Sequence, residues 1–137
     1  MKRIQTNPDP FEAFALSQAI AVDPWIFVSG QAALDAQGQI VGGSDFQRQA
    51  EAAFDNLQTI LEVAESSLDD VVKVTIFVTD ISQFASVVEL RRKYFCPPYP
   101  ADSIVEVKAL ALPGLLFEIE AIAIRGAGAN KHRGATK

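Results

Sequence analysis

Residues 116–124 read Leu-Phe-Glu-Ile-Glu-Ala-Ile-Ala-Ile. Side chains two apart on a strand share a face, so this segment has two unlike sides. Phe117, Ile119, Ala121 and Ala123 form one, suited to packing beneath helices. Glu118, Glu120, Ile122 and Ile124 form the other, which mixes carboxylates with large aliphatics. The segment 102–109 divides in the same way. Ser103, Val105, Val107 and Ala109 are expected beneath the helices, with Asp102, Ile104, Glu106 and Lys108 opposite. A solvated face has little reason to hold Ile104, Ile122 and Ile124, and a buried core face does not hold Asp102, Glu106, Glu118 and Glu120. A subunit interface with pockets in it accommodates both. The competing reading is a half-wetted monomer face with scattered aliphatics.

The other segments say what this sheet packs against. Ile20-Ala21-Val22, the turn at Asp23-Pro24 and Trp25-Ile26-Phe27-Val28 read as a hairpin ending at Ser29-Gly30-Gln31. Residues 1–16 read as irregular, with Pro8 and Pro10. Ser44-Asp45-Phe46-Gln47 fits a capping box. Ala50, Ala53, Phe54, Leu57, Ile60, Leu61 and Ala64 then recur at helical spacing, one apolar stripe on a helix of about 20 residues. Val71 to Val78 predicts a strand with Val72, Val74, Ile76 and Val78 on one face. A second helix is expected over 82–95, capped by Asp80 or Ser82, with Phe84, Val87, Val88, Arg91 and Phe95 on one side. Pro97-Pro98 stops it. The order is β-β-α-β-α-β-β, an α+β sandwich of one sheet and two helices. A single domain over residues 1–125 follows, with a Gly-, Ala- and charge-rich tail from 126 to 137 expected to lack fixed structure.

Standard catalytic constellations are missing. The chain has one histidine, His132, in that tail, so no Ser-His-Asp or Cys-His arrangement suggests itself. The one cysteine, Cys96, excludes an internal disulfide and reads as a small packed residue at a helix end. Gly38, Gly42 and Gly43 lack the spacing and the following Lys-Ser/Thr of a phosphate loop. No His or Cys cluster suggests zinc, and no loop alternates acidic ligands for a hard cation, so neither a metal nor another cofactor is expected. A formal net charge of −5 disfavours nucleic acid. Arg91-Arg92-Lys93 and Lys131-His132-Arg133 read as a solvated helix face and tail. No run approaches the roughly 18 apolar residues of a membrane span, and the first residues do not read as a secretory signal. The expected setting is cytoplasmic, with no membrane partner.

What remains is Ser29-Gly30-Gln31 at a strand end, Asp102 at a strand start, and the Glu118/Glu120 pair. Carboxylates on one face can do general acid–base work if burial raises one pKa. They can equally be interface residues paired with a neighbour's cations.

Several segments together resemble the RidA/YjgF family of reactive-intermediate deaminases. They are Phe27-Val28-Ser29-Gly30-Gln31, Gln49-Ala50, Asn56-Leu57, Val72-Lys73-Val74-Thr75-Ile76-Phe77-Val78-Thr79-Asp80, Phe84-Ala85, Tyr99-Pro100-Ala101, Val105-Glu106-Val107 and Glu118-Ile119-Glu120-Ala121-Ile122-Ala123. The likeness runs from about residue 12 to 125. It implies a chorismate-mutase-like fold and a homotrimer whose sheets line a central barrel, with small-molecule pockets in the clefts between subunits. It also implies cofactor-free hydrolysis of 2-imino or 2-enamino acids to 2-keto acids and ammonia. In that chemistry an arginine clamps the substrate carboxylate and a glutamate handles water.

The chain departs from that pattern where it matters. The family's Pro-Ala-Arg-Ser stands here as Pro100-Ala101-Asp102-Ser103. Glu118 matches the glutamate, and Ser29 and Gly30 match a pocket-lining pair. Leu16 replaces a pocket tyrosine, Val88 an asparagine and Ile104 a small residue such as cysteine. Asp102 and Glu118 together are expected to repel a carboxylate in a partly desolvated cleft. The resemblance then points to a noncanonical imine, enamine or amine without a nearby carboxylate, with Glu118 handling water and Asp102 holding a cationic nitrogen. The alternative is a non-catalytic trimer that binds a small ligand. Ribonuclease or translation-inhibitor activity fits the acidic chain least.

Overall fold

The computed structural model describes residues 1–131. Six strands form one sheet in the order β1-β2-β3-β6-β4-β5. They are β1 (Lys2–Ile4), β2 (Ala19–Val22), β3 (Trp25–Ala32), β4 (Val71–Val78), β5 (Ala101–Glu106) and β6 (Phe117–Ile124). Two helices, α1 (Phe46–Val63) and α2 (Phe84–Tyr94), pack on one face. The predicted α+β class and element order hold, with one addition. Strand β1 pairs antiparallel with β2 at the sheet edge, where residues 1–16 read as irregular. Three residues are too few to show alternation in a sequence.

Helix α1 starts one residue later than its sequence suggests. Asp45, not Ser44, is extended at φ −85°, and its carboxylate accepts from the Arg48 amide at 3.1 Å. Seven side chains of the expected stripe, from Ala50 to Ala64, are buried against the sheet. Phe54 is the hub. Its ring stacks on Tyr94 at 4.4 Å and meets Phe95 and Phe117 at 5.7 Å each, tying α1 to α2 and β6. A fully buried Phe contributes about 1.5–3 kcal/mol over an exposed one.

Three expectations about faces are corrected. The stripe of α2 is rotated: Val87 and Leu90 are buried, while Phe84 is 47% exposed. Asp80 caps a 3-10 turn, Ile81–Gln83, so Phe84 is the first residue of α2 rather than part of its body. On β4, Val71 rather than Val72 is buried with Val74, Ile76 and Val78, because the register shifts between Val71 and Lys73. On β5 the two faces are exchanged. It runs parallel to β4 with Val74 beside Asp102 and Ile76 beside Ile104. Paired residues share a face, so Asp102 and Ile104 lie on the helix side and Ser103 and Val105 on the open side. Ile104 packs on the core, and Val105 is exposed.

The segment after β6 also departs from expectation. Ala127–Asn130 forms a 3-10 turn whose Gly128 amide donates to buried Asp70 at 2.8 Å. His132 and the rest of the predicted tail lie outside the described residues.

Candidate functional site

Glu118 sits on the open face of the sheet, where β6 pairs with β3, opposite Ala32. The register of that pair shifts between Val28 and Gln31, so Ser29 and Gly30 leave the ladder beside it. Gly30 is needed for its small size. A Cβ there would lie 2.6 Å from Cδ and 3.0 Å from Cγ and Oε1 of Glu118, well inside van der Waals contact. The Glu118 carboxyl thus rests on bare backbone. Around it Phe11, Phe14, Leu16, Ser29, Leu112 and Leu115 line a cavity of 210 Å³ that is mostly apolar. Desolvation in this setting raises the Glu118 pKa above the usual 4.5, and the nearby Glu120 charge adds to the rise.

Helix α1 holds both strands of this pocket in place. Buried Gln49 donates to the carbonyls of Gly43 and Gly114 at 2.6 and 2.8 Å and accepts from the Leu116 amide at 2.8 Å. Two turns on, Asn56 Nδ2 donates to the Ala32 and Leu34 carbonyls, both at 2.9 Å. The loop carrying Leu16 is fixed by Ser29. Its Oγ donates to the Ser17 carbonyl at 2.6 Å, and its amide donates to Gln18 at 2.9 Å.

A second cavity, of 310 Å³, opens between α2 and β5. Val88, Arg91, Arg92, Phe95, Tyr99, Pro100 and Asp102 line it. Arg91 Nε donates to Asp102 Oδ2 at 2.6 Å, with side-chain exposures of 22% and 13%. Among the described residues, buried Asp102 Oδ1 has no hydrogen-bond partner. Arg92 turns outward to Glu89.

A family model described as Endoribonuclease L-PSP matches residues 6–125. A RutC family protein of Pyrococcus abyssi is 44% identical, over 89% of this chain and 95% of its own length. The 2-iminobutanoate/2-iminopropanoate deaminase of Rattus norvegicus is 40% identical, over 91% of this chain and 90% of its own. Among solved structures, RidA from an Antarctic Psychrobacter superposes with a TM-score of 0.82 at 38% identity, over 90% of this chain and 99% of that one. The chain belongs to the RidA/YjgF family.

The residues that the family resemblance singles out fall into two groups. Leu16, Ser29, Gly30 and Glu118 share the apolar pocket. Val88 and Asp102 share the α2/β5 cleft, and Ile104 lies behind it, packed on the core. Within one chain the two acids are not partners. Asp102 and Glu118 lie two strands apart, on opposite faces of the sheet, because β4 separates β6 from β5. The shared carboxylate face predicted for the last two strands is therefore split.

Asp102 is also no bare anion, since Arg91 compensates it. Arg91 had read as the polar member of an apolar stripe. Gln49 and Asn56 were visible as family-like residues, but their stapling role was not. A buried amide on a helix stripe is the signal that marks them, since such groups must find partners. Among the described residues no His, Cys, Asp and Glu grouping can hold a metal ion, and no helix is long and apolar enough to cross a membrane.

Proposed function

We propose that this chain hydrolyses the C=N bond of a small imine, or of the imine tautomer of an enamine, in a deaminase-type reaction. It does so as a homotrimer whose clefts join the Glu118 pocket of one copy to the α2/β5 cleft of another. The observation that carries this reading is Glu118: a half-buried carboxyl in an apolar cavity, resting on Gly30, with its pKa raised by desolvation. A carboxyl whose pKa is raised by desolvation is suited both to accept and to give a proton. It takes a proton from water as the oxygen attacks the imine carbon, and gives a proton to the nitrogen. The carbinolamine then collapses to a carbonyl and ammonia. Water supplies the oxygen, and no electron acceptor is needed.

Assembly is supported by the open sheet face. Val22, Trp25, Phe27 and Val105 are 42–48% exposed there, and the Trp25 and Phe27 rings stack at 6.4 Å. A patch of this kind rarely stays wet in a monomer. The kinship with the rat 2-iminobutanoate/2-iminopropanoate deaminase supports the reaction class.

The sequence-based expectation of a substrate without a carboxylate rested on repulsion by Asp102 and Glu118 together. Pairing with Arg91 compensates the Asp102 charge, so imines with and without a carboxylate both belong in the test. These are generated in situ, and ammonia release is followed with wild type and Glu118→Gln. Turnover that falls at least 100-fold in Glu118→Gln supports the reading. Wild-type turnover in that variant, or an inert wild type on every imine, refutes it. Sedimentation velocity gives the oligomeric state, and a monomer at micromolar concentration refutes the shared cleft.

A further inference from the structure

We propose that Arg91 is the anion-gripping residue of the α2/β5 cleft, with Asp102 as its positioning residue, and that the ligand it grips is a small organic carboxylate. The inference rests on the reading of that cleft as half of the imine-hydrolysing site.

The geometry of the pair is the reason. Asp102 engages Arg91 through Nε alone, at 2.6 Å. Among the described residues, neither terminal nitrogen of Arg91 makes a hydrogen bond. A guanidinium is a planar fork with five N–H donors. When one edge is held by a protein carboxylate, the outer edge still presents two parallel donors. Two parallel donors match the two oxygens of a carboxylate. Arg91 lines the 310 Å³ cleft, so that edge meets space a small ligand can fill.

Preorganisation supports the same assignment. Arg91 is in the last turn of α2, its side chain is largely buried, and its guanidinium lies 5.9 Å from the Phe84 ring centroid. Three constraints of this kind fix a side chain that otherwise has many rotamers, so little entropy is lost on binding. Arg92 does not compete for the role. It stands at the rim of the cleft, exposed and paired with Glu89. Phe95 and Pro100 add apolar lining to the same cleft, suited to a short aliphatic chain.

The arrangement also explains why an aspartate is tolerable at the mouth of β5. Among the described residues, buried Asp102 Oδ1 has no hydrogen-bond partner, so the Arg91 contact is what compensates the carboxylate there. Asp102 does not face the ligand as a repelling charge. It orients the cation that does the gripping.

The test uses binding as well as turnover. The probe is 2-oxobutanoate, the keto acid that hydrolysis of 2-iminobutanoate would leave, titrated calorimetrically into the full chain. The variants are Arg91→Lys, the double variant Arg91→Met with Asp102→Asn, Asp102→Ala, and Arg92→Met. The double variant removes both charges, so no buried charge is left unpaired to unfold it. We expect its Kd to rise roughly 30-fold, the loss of a charge-assisted pair of hydrogen bonds. Arg91→Lys loses about 10-fold, since an ammonium lacks the fork. Arg92→Met stays within about threefold.

Asp102→Ala raises KM for a carboxylate-bearing imine well beyond any change in KM for a carboxylate-free imine, and alters kcat for the two to the same extent. That split separates positioning from a structural role. Equal binding by wild type and the double variant overturns the proposal, as does a wild type that does not bind the probe. Glu118→Gln keeps probe affinity if the proposal holds. Wild-type turnover in Glu118→Gln would sink the hydrolase reading while leaving the Arg91 assignment intact.

Discussion

Gly30→Ala adds one methyl group to β3 beside the Glu118 carboxyl. The new carbon would lie 2.6 Å from Glu118 Cδ, where carbon contacts settle at about 3.5–4.0 Å. The carboxyl must therefore withdraw by roughly 1 Å. Its side chain is long and half-buried, so it can do so by changing rotamer, without moving β6. The stability cost is then small. It is offset in part by the about 0.5–1 kcal/mol that alanine saves over glycine in a strand. The melting temperature should move by a few degrees at most.

Catalysis should respond quite differently, because a reacting group displaced by roughly 1 Å loses about 100-fold in rate. The assay is ammonia release from an imine generated in situ, with kcat/KM compared for wild type, Gly30→Ala, Glu118→Gln and the double variant. Gly30→Ala should fall about 100-fold, and the double variant should be no worse than Glu118→Gln, because both act through one carboxyl. Wild-type kcat/KM in Gly30→Ala would refute the reasoning. So would strictly multiplicative losses in the double variant, which would give Gly30 a role separate from Glu118.

Three further outcomes follow from the same geometry. If Glu118 works as its carboxylate, kcat/KM rises with pH through a pKa above the ordinary 4.5, and Glu120→Gln moves that limb to lower pH by removing a repelling charge; an unmoved limb in Glu120→Gln refutes the coupling. Because the folded-state pKa of Glu118 is raised, folded protein binds more protons between 4.5 and that value, so stability contributed at this site falls as pH rises through the window; denaturant titrations should show the fall in wild type and its absence in Glu118→Gln. For Asp70, burial opposes ionisation but the Gly128 amide and Ser66 hydroxyl outweigh it and lower the pKa below 3.8. That stability is present above 3.8 and lost below it, and Asp70→Ala should cost about 1–3 kcal/mol at neutral pH by chemical denaturation.

The helix stripe of α1 and the two faces of β6 were legible because each is set by periodicity within one element. Ala50 to Ala64 pack as their spacing says, and Phe117, Ile119, Ala121 and Ala123 are buried as expected. Strand β5 was misread because its alternation does not say which face turns inward. Ser103 and Val105 look as packable as Asp102 and Ile104 until the parallel register with β4 decides. The start of α2 failed for a related reason. Asp80 and Ser82 are both good caps, and neither shows that a 3-10 turn intervenes before the helix begins at Phe84. Residues 29–30 were recognisable as a site because a strand ending in Ser-Gly interrupts its own pattern. That the interruption is a register shift under Glu118 comes from the partner strand, which lies some 90 residues away in the chain.

The aspartate at residue 102 shows the same boundary at the level of charge. A chain is read one position at a time, and there an acid stands where the family resemblance leads one to expect a base. Taken alone that is a change of two charges, enough to exclude an anion from a desolvated cleft. The fold places Arg91, on the preceding helix, 2.6 Å away. The local sum then becomes neutral at the pair, with the outer edge of a cation still open to the cleft. What a ligand meets is the sum over neighbours in space, and α2 and β5 are neighbours only because the parallel crossover from β4 stacks them. A substitution that reverses a catalytic charge is therefore weak grounds for a changed substrate until the side chains across the cleft have been placed. Two substitutions in contact can move a cation from strand to helix and leave the chemistry of the cleft as it was.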